Sequence, residues 1–262
     1  YCVLIWRFFM FLIFNKEKIQ TYAVSILTVA VLISIASIKN ISTIPTSASE
    51  KYLPIYNVQT EEAKIAFTMN CAWNADDIDS ILETLKENNV HITFFIVGDW
   101  TDKYPEAVKK IYEAGHEIGS HSNTHPHVNN LSSEKNLEEI NLSVDKIEKI
   151  TGYKTNLYRA PYGEYNNTVI KTAQENGFYT IQWNLDTLDY QGLTGEEMWN
   201  RLKNKLDGGS IILSHNGAKH TADSLDMLIK NIKSSGFEIT TVSDLIYKDN
   251  YSINNNGTQI FN

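Results

Sequence analysis

Cysteine is scarce in this sequence. The two cysteines, Cys2 and Cys71, lie far apart and in segments of different character. This pattern excludes a disulfide framework and a thiolate cluster around zinc, so any metal site must rely mainly on nitrogen and oxygen ligands. Positive charge is also in deficit, with 23 Lys and Arg against 31 Asp and Glu and a net charge of -8. Because nucleic-acid binding needs a basic face that releases counterions, the composition argues against that class of partner.

A glycine-rich nucleotide loop is missing as well, although the chain from Lys64 onward alternates predicted strands and helices. Strands are predicted at 64–69, 91–97, 116–120, 179–183, 210–214 and 237–240. Helices are predicted at 77–88, 105–114, 133–150, 168–176, 195–206 and 221–234. This order predicts a parallel sheet, and about seven such units without a nucleotide loop favour a closed barrel over an open doubly wound sheet. In such barrels the chemistry lies at the carboxyl ends of the strands.

The N-terminal region contains an uncharged run, Thr21 to Ile38. It is just long enough to span a bilayer and predicts a transmembrane anchor at 21–38. The lysines before it favour a cytoplasmic location for residues 1–20, of which the part before Met10 is interpreted as an upstream extension. A cleaved signal peptide is the alternative, because small residues occur at 46–49.

The rest of the chain divides by composition. Residues 39–56 are interpreted as a polar linker, residues 57–248 as one folded domain with a full core, and residues 249–262 as a loose polar tail. With a single membrane-spanning helix before it, the domain is expected on the outer side of the cell membrane.

Several polar motifs come directly after predicted strands. His121 and His125 lie four residues apart in one tight turn, where two imidazoles can converge on one cation. Zinc at a catalytic site takes three protein ligands and leaves one position open for water. Further along the chain come Arg159-Ala160-Pro161-Tyr162, then Asp186, then Leu213-Ser214-His215. Since each motif follows a strand, we expect them to share one mouth of the barrel.

This ordered set of motifs resembles the polysaccharide deacetylases, which form carbohydrate esterase family 4 and carry the NodB homology domain. The resemblance covers roughly residues 57–247 and is strongest to the membrane-anchored sporulation members (PdaB-like). It implies a distorted (β/α)7-8 barrel that uses a divalent metal ion, with zinc as the default for histidine ligands. It also implies removal of N-acetyl groups from cell-wall glycan.

The resemblance implies a role for each matching residue. His121 and His125 correspond to metal ligands, and His215 corresponds to the general acid that protonates the leaving amine. Asp186 resembles the carboxylate that holds this histidine, and Asp189 is a secondary candidate whose plainer role is a cap or a bridge. Arg159 resembles the arginine that orients the catalytic carboxylate, although it could also be a plain ion-pair partner.

The remaining matches concern the substrate. Tyr162 is expected to direct its backbone N–H toward the tetrahedral oxyanion. Leu213 is expected to line the pocket that receives the acetyl methyl group. Pro161 and Trp183 are further expected substrate contacts, and a place in the core is an equal alternative for Trp183.

One motif departs from the family pattern. Active members carry Thr-Phe-Asp-Asp, whose first Asp is the base and whose second is the third metal ligand, whereas this chain has Thr68-Met69-Asn70-Cys71. The amide of Asn70 cannot accept a proton near neutral pH, and a Cys71 thiolate would be an unusual ligand in this family. Asp77, or else Asp76, is predicted to complete the metal site, and the same residue or the other one of the pair to supply the base. Acidic residues at a helix start also complement the helix dipole, which is the plainer interpretation.

Three functions are therefore compatible with the sequence. The leading hypothesis is a metal-dependent N-deacetylase of cell-wall glycan, acting in spore formation. The second is a weakened relative that binds glycan or metal at the cell envelope, which the missing Asp favours. The third is an O-deacetylase of the acetylxylan type.

Overall fold

The computed structural model describes the backbone of residues 16–39 and 51–262, and the side chains of residues 19–33 and 51–262. The chain divides into two units, with the boundary after Glu50. The whole segment before Met10, which is interpreted as an upstream extension, and most of the predicted linker lie outside the described residues.

The described backbone of the first unit forms helix α1 (Lys16–Lys39), which includes the predicted anchor. Among the described residues, no helix is both long enough and apolar enough to cross a membrane. The last part of the predicted anchor, 34–38, falls outside the described side chains.

The second unit is built on a parallel sheet, as the alternation of elements predicts. Its strands are β2 (Lys64–Cys71), β3 (Thr93–Ile96), β4 (Glu117–Ser120), β5 (Leu157–Tyr158), β6 (Tyr179–Thr180), β7 (Leu185–Asp186), β8 (Ile211–His215) and β9 (Glu238–Thr240), after the short β1 (Asn57–Val58). The strand order is β6-β5-β4-β3-β2-β8-β7, with β9 paired to β2.

The prediction that the sheet closes into a barrel is wrong. Within the described strands β6 and β7 end the sheet at opposite sides and do not pair with each other. Both are only two residues long, and the chain just before β1 takes the free edge of β6 instead. Ile55 donates its N–H to the Thr180 carbonyl at 2.9 Å and accepts from the Gln182 N–H at 2.7 Å. Part of the predicted linker, 51–56, therefore packs on the domain, and the sheet is curled but open.

Helices follow most strands and cover the sheet. They are α2 (Ile78–Glu87), α3 (Gly98–Lys103), α4 (Pro105–Glu113), α5 (Ser133–Thr151), α6 (Asn167–Glu175), α7 (Gly195–Leu202), α8 (Thr221–Ser234) and α9 (Val242–Leu245). The predicted start of α5 is confirmed, because the Ser132 side chain accepts a hydrogen bond from the Lys135 N–H. Its end is confirmed by Gly152, which has a φ of 72° and closes the helix in the left-handed conformation.

Strand β2 lies at the centre of the sheet and has two different faces. Met69 and Cys71 are fully buried in the hydrophobic core that the helices cover. The alternating residues Thr68 and Asn70 lie on the other face, where both accept hydrogen bonds from Arg159. The apolar face anchors the strand, and the polar face is available to a site.

The C-terminal tail predicted to be loose is ordered. It forms β10 (Tyr251–Ile253) and β11 (Thr258–Phe261), which join β1 in a three-stranded sheet. The fully buried Gln259 exchanges two hydrogen bonds with the backbone of Tyr247, at 2.9 and 2.8 Å. A polar composition here reflects paired side chains and not disorder.

Candidate active site

A cleft of about 490 Å³ opens at the carboxyl ends of the strands, which is the end that the motifs predict. Its volume is within the usual range for small-molecule sites. Seven residues predicted for the site line it: His121, His125, Tyr162, Trp183, Asp186, Leu213 and His215. Asn70 and Ala72 also line the cleft, and the register of β2 and β8 places Asn70 directly beside His215.

The two histidines of the turn after β4 lie side by side. Their ring centroids are 4.9 Å apart, and the planes meet at 77°. His121 Nδ1 lies 2.8 Å from the Arg159 carbonyl, which can only accept, so this nitrogen carries the proton and Nε2 keeps its lone pair. Burial lowers the pKa of both imidazoles, that of His121 well below its ordinary value. Two neutral imidazoles are therefore ready to act as metal ligands.

A carboxylate on α5 holds this turn in place. Glu139 accepts hydrogen bonds from the backbone N–H groups of Asn123 and Thr124 at 3.0 and 2.8 Å, and from the Thr124 hydroxyl at 3.0 Å. The turn needs such support because His125 has a φ of 58°, in the left-handed region that non-glycine residues avoid. Sequence reasoning missed Glu139, since no local pattern connects an α5 position to a turn 15 residues earlier.

We expect Glu139→Ala to lower the free energy of unfolding by about 2–4 kcal/mol, because two backbone N–H groups lose a charged acceptor. Glu139→Gln is the matched control and should cost less than about 1 kcal/mol, since the amide oxygen still accepts from both groups. Urea unfolding measures the stability, and amide hydrogen exchange at Asn123 and Thr124 locates the loss. Equal effects of the two variants would contradict this account of the turn.

Arg159 is a fully buried cation whose hydrogen-bond acceptors are all neutral. Its Nη1 donates to Thr68 Oγ1 at 2.9 Å and to Asn70 Oδ1 at 3.0 Å. The other bonds go to the carbonyls of Gln182 and Ile181, and the guanidinium lies 4.0 Å from the Phe95 ring centroid. Burial lowers the pKa of Arg159 to about 9, which keeps it charged at neutral pH. The arginine thus faces an amide at the position where the resemblance implies a carboxylate.

The partner of His215 is Asp189, and the prediction of Asp186 for this contact is wrong. His215 Nδ1 lies 2.8 Å from Asp189 Oδ1, and the His215 N–H donates to Oδ2 at 2.6 Å. The turn between the two carboxylates explains the difference, because Leu188 has a φ of 55° and redirects the chain toward β8. Asp186 accepts from the Leu188 N–H at 2.8 Å and lines the cleft, and burial raises its pKa.

Asp77 is not placed beside the histidines, so its prediction as metal ligand and base is also wrong. Its Oδ2 accepts from the Gly217 N–H at 2.6 Å and its Oδ1 from the Asn216 side chain at 3.2 Å. These bonds tie the start of α2 to the loop after β8. Asp76 is exposed, and the Cys71 thiol is fully buried, which raises its pKa well above the ordinary value. In the described part of the chain, no three His, Cys, Asp or Glu side chains are grouped to hold a metal ion.

The structure places some of the predicted substrate contacts in the cleft and one of them outside it. Leu213 and Trp183 line the cleft, but Pro161 is buried at the start of a 3-10 turn and does not line it. Tyr162 lines the cleft with a φ of 58°, and His127 stacks on its ring at 4.4 Å. Two aromatic residues of the cleft were missed, Trp73 and Tyr190. Their signal in the sequence is an aromatic residue soon after a predicted strand end.

Comparisons with known proteins identify the same family that the sequence motifs resemble. The family model described as polysaccharide deacetylase matches residues 57–181. The chain is 30% identical to a peptidoglycan-N-acetylglucosamine deacetylase of Bacillus cereus, over 77% of this chain and 74% of that protein. It is 33% identical to the protein YlxY of Bacillus subtilis, over 74% of this chain but only 60% of YlxY.

Among solved structures, the chain is similar to BA3943 of Bacillus anthracis, with a TM-score of 0.71 and 30% identity. The match covers 74% of this chain and 69% of that one. BA3943 is described as a pseudoenzyme of carbohydrate esterase family 4, and one of its mutants as having restored enzymatic activity.

Proposed function

Because the chain belongs to the polysaccharide deacetylase family, we propose that its domain removes N-acetyl groups from cell-wall glycan by hydrolysis. The observation that carries this proposal is the His215–Asp189 pair, with an Nδ1–Oδ1 distance of 2.8 Å, beside two neutral histidines in one cleft. Because the proposed substrate is cell-wall glycan, the proposal also locates the domain outside the cytoplasmic membrane. A role in spore formation is part of the same proposal.

His215 supplies the proton in this reaction. Asp189 fixes its Nδ1, so Nε2 is the nitrogen that remains for the substrate. Hydrolysis adds water to the acetamide carbon, breaks the C–N bond and releases acetate and the amine, and Nε2 protonates the leaving nitrogen. Leu213 lines the cleft on the same strand and provides an apolar surface for the acetyl methyl group.

His121 and His125 are the residues that would hold a divalent ion, and zinc suits imidazole ligands. Such an ion supplies Lewis-acid polarisation of the acetamide carbonyl. The unprotonated Nε2 of His121 and the neighbouring ring of His125 fit two positions of this site. The described residues add no third anionic ligand, so we propose weaker metal affinity than in members that have one.

The second candidate function is glycan binding with little or no hydrolysis. Asn70 favours it, because an amide stands where a proton acceptor is needed and hydrogen-bonds to Arg159 at 3.0 Å. The similar protein BA3943, a described pseudoenzyme, supports the same possibility for this chain.

Acetate release separates the two candidates. We expect slow release from oligomers of N-acetylglucosamine and from peptidoglycan, none from acetylxylan, and loss of release in the presence of a chelator. Binding of the oligomers without any release would contradict the deacetylase and favour the second candidate.

Calorimetric titration with zinc tests the metal proposal without a turnover assay. We expect one site per chain, weakened by roughly tenfold or more in His125→Ala because half of the nitrogen ligands are gone. His127→Ala is the control, since His127 bonds to Glu164 at 2.7 Å and stacks on Tyr162. The same affinity in wild type and His125→Ala would contradict the assignment.

A further inference from the structure

Asp77 lies at the start of α2, but its side chain does not cap that helix. The plainer interpretation of an acidic residue at this position is a hydrogen bond to the first N–H groups of the helix, and the Asp77 carboxylate makes none. Its Oδ2 accepts instead from the Gly217 N–H at 2.6 Å, and its Oδ1 from the Asn216 side chain at 3.2 Å. Both donors belong to the loop that follows His215. The carboxylate therefore holds the loop after β8 and not its own helix.

Asn216 is the centre of this contact. It is fully buried, follows His215 directly, and donates its backbone N–H to the Asn70 carbonyl at 3.1 Å. Its side-chain NH₂ group donates to Asp77 Oδ1 and to the Asn74 carbonyl, and because both partners can only accept, the orientation of the amide is fixed. The Asn216 Oδ1 is buried and has no partner among the described residues, which costs about 1–3 kcal/mol. The two bonds of the NH₂ group therefore hold this residue in place, and its oxygen is left unsatisfied.

The same contact holds the loop after β2 against His215. The Asn74 carbonyl also accepts from the indole N–H of Trp100 at 3.1 Å. A Cβ at Gly217 would lie only 3.2 Å from Asn74 Oδ1, and Gly217 has a φ of 72°, so glycine is what allows the two loops to approach this closely. Trp73, the residue before Asn74, stacks on the His215 ring with a centroid distance of 5.4 Å. The two loops thus meet beside the imidazole.

Asp189 holds His215 from one side only, through Nδ1 and the backbone N–H. His215 is the last residue of β8, so the position of the chain beyond it depends on the loop. Proton transfer needs Nε2 within about 2.6–3.2 Å of the leaving nitrogen, and a displacement of about 1 Å can lower a rate by about 10²-fold. The bonds from Asp77 to the next two residues therefore restrict where Nε2 can lie.

We propose that Asp77 is a positioning residue for His215 and acts through the loop of Asn216 and Gly217. This inference rests on the proposed function, in which His215 Nε2 protonates the leaving nitrogen. Asp77 does not line the cleft, so its loss should displace the acid without removing a contact to the glycan. The expected effect is on turnover and not on substrate binding.

The first test measures acetate release from the tetramer of N-acetylglucosamine by the full chain in detergent. We expect Asp77→Ala to lower kcat by about tenfold and to change KM by less than about twofold, because only the position of the acid is disturbed. Asp77→Asn should lower kcat by less than about threefold, since an amide oxygen still accepts from the Gly217 N–H. Asp76→Ala is the matched control and should change neither constant, because the neighbouring Asp76 is exposed and only its backbone N–H is hydrogen-bonded, to Asn74 Oδ1.

The second test needs no turnover. The Nδ1 proton of His215, bonded to Asp189 at 2.8 Å, should give a downfield signal in the proton NMR spectrum of the chain without substrate. His215→Gln identifies this signal by its loss. We expect Asp77→Ala to shift or broaden it, Asp77→Asn to do so less, and Asp76→Ala to leave it unchanged. A contribution of Asp77 to stability alone would not move the signal in a folded variant.

An unchanged signal together with an unchanged kcat in Asp77→Ala would overturn the positioning role, as would an equal effect of Asp76→Ala. Thermal unfolding of each variant shows that the domain is folded at the temperature of the measurement, and Asp77→Asn decides the question by the same two readouts if Asp77→Ala does not fold. A signal that depends on Asp77 in a chain that releases no acetate supports the positioning role and contradicts the hydrolytic reaction. Acetate release that does not depend on Asp77 does the reverse.

Discussion

Asn70→Asp is expected to raise the rate of acetate release by about 10²- to 10⁴-fold, the usual contribution of a positioned general base. Asn70 has the shape of an aspartate and already lies in the cleft, beside His215 in the strand register. Its Oδ1 is 3.0 Å from Arg159 Nη1, so a carboxylate there would be oriented and kept ionised by a buried cation. Asn70→Asp therefore places a proton-accepting carboxylate where the wild type has an amide.

The same change should raise stability at neutral pH by about 1–3 kcal/mol, because Arg159 gains a charged partner in place of an amide. The guanidinium depresses the pKa of the new carboxyl group in the folded state. The gain is therefore present above the pKa of an unfolded aspartate, about 3.9, and is lost as pH falls through the lower folded value. Urea unfolding at pH 7 and at pH 3 measures this difference.

Asn70→Ala is the matched control for both effects. It removes one of the acceptors of Arg159 without adding a base, so it should lower stability and leave acetate release at or below the wild-type rate. A folded Asn70→Asp variant that binds the glycan but shows no faster release would contradict the proposed base position. The mutant of BA3943 with restored activity shows that a pseudoenzyme of this family can regain catalysis.

Asp189→Asn is expected to lower the free energy of unfolding by about 2–4 kcal/mol and to reduce acetate release by at least about 10-fold. Asp189 is fully buried and accepts four hydrogen bonds. The donors are the N–H groups of His215 and Tyr190, the Thr221 hydroxyl and His215 Nδ1. The side-chain amide of Asn has two orientations at this position. In one its NH₂ group faces the N–H of Tyr190, and in the other it faces the N–H of His215, so one donor always loses its acceptor. One orientation also forces the His215 proton from Nδ1 to Nε2 in the neutral ring.

Asp186→Asn is the matched control, because Asp186 is the neighbouring carboxylate and accepts one hydrogen bond, from the Leu188 N–H. Its effect on stability should be below about 1 kcal/mol, since an amide oxygen replaces the carboxylate there. The pH profile of acetate release distinguishes the two residues further. A larger shift of this profile in Asp186→Asn than in Asp189→Asn would show that Asp186, and not Asp189, governs His215.

Local sequence patterns predicted the elements of this domain well. The apolar spacing and the caps of α5 identified its start after Ser132 and its end at Gly152, and the structure confirms both. The polar motifs after strands predicted that His121, His125 and His215 share one cleft, which the structure also confirms. Such predictions succeed because periodicity, capping and the direction of parallel strands are properties of short segments.

The sequence could not predict which carboxylate reaches which partner. Asp186 and Asp189 are three residues apart, and only the positive φ of Leu188 decides that Asp189 turns toward His215. Asp77 is close in sequence to Asn70 and Cys71, the two residues that depart from the family motif. Its hydrogen bonds nevertheless go to a loop about 140 residues later.

The composition and motifs by themselves determined that this chain is an acidic, cysteine-poor α/β protein with a histidine-lined cleft and with an amide where the family pattern implies an acid. The tertiary structure decided that the sheet stays open, that Asp189 holds His215, that Glu139 supports the turn of His121 and His125, and that Trp73 lines the cleft. The physical reason is that an element forms from contacts within one segment. A site depends on side chains from distant segments, whose meeting is set by strand register and by a few backbone angles in the turns.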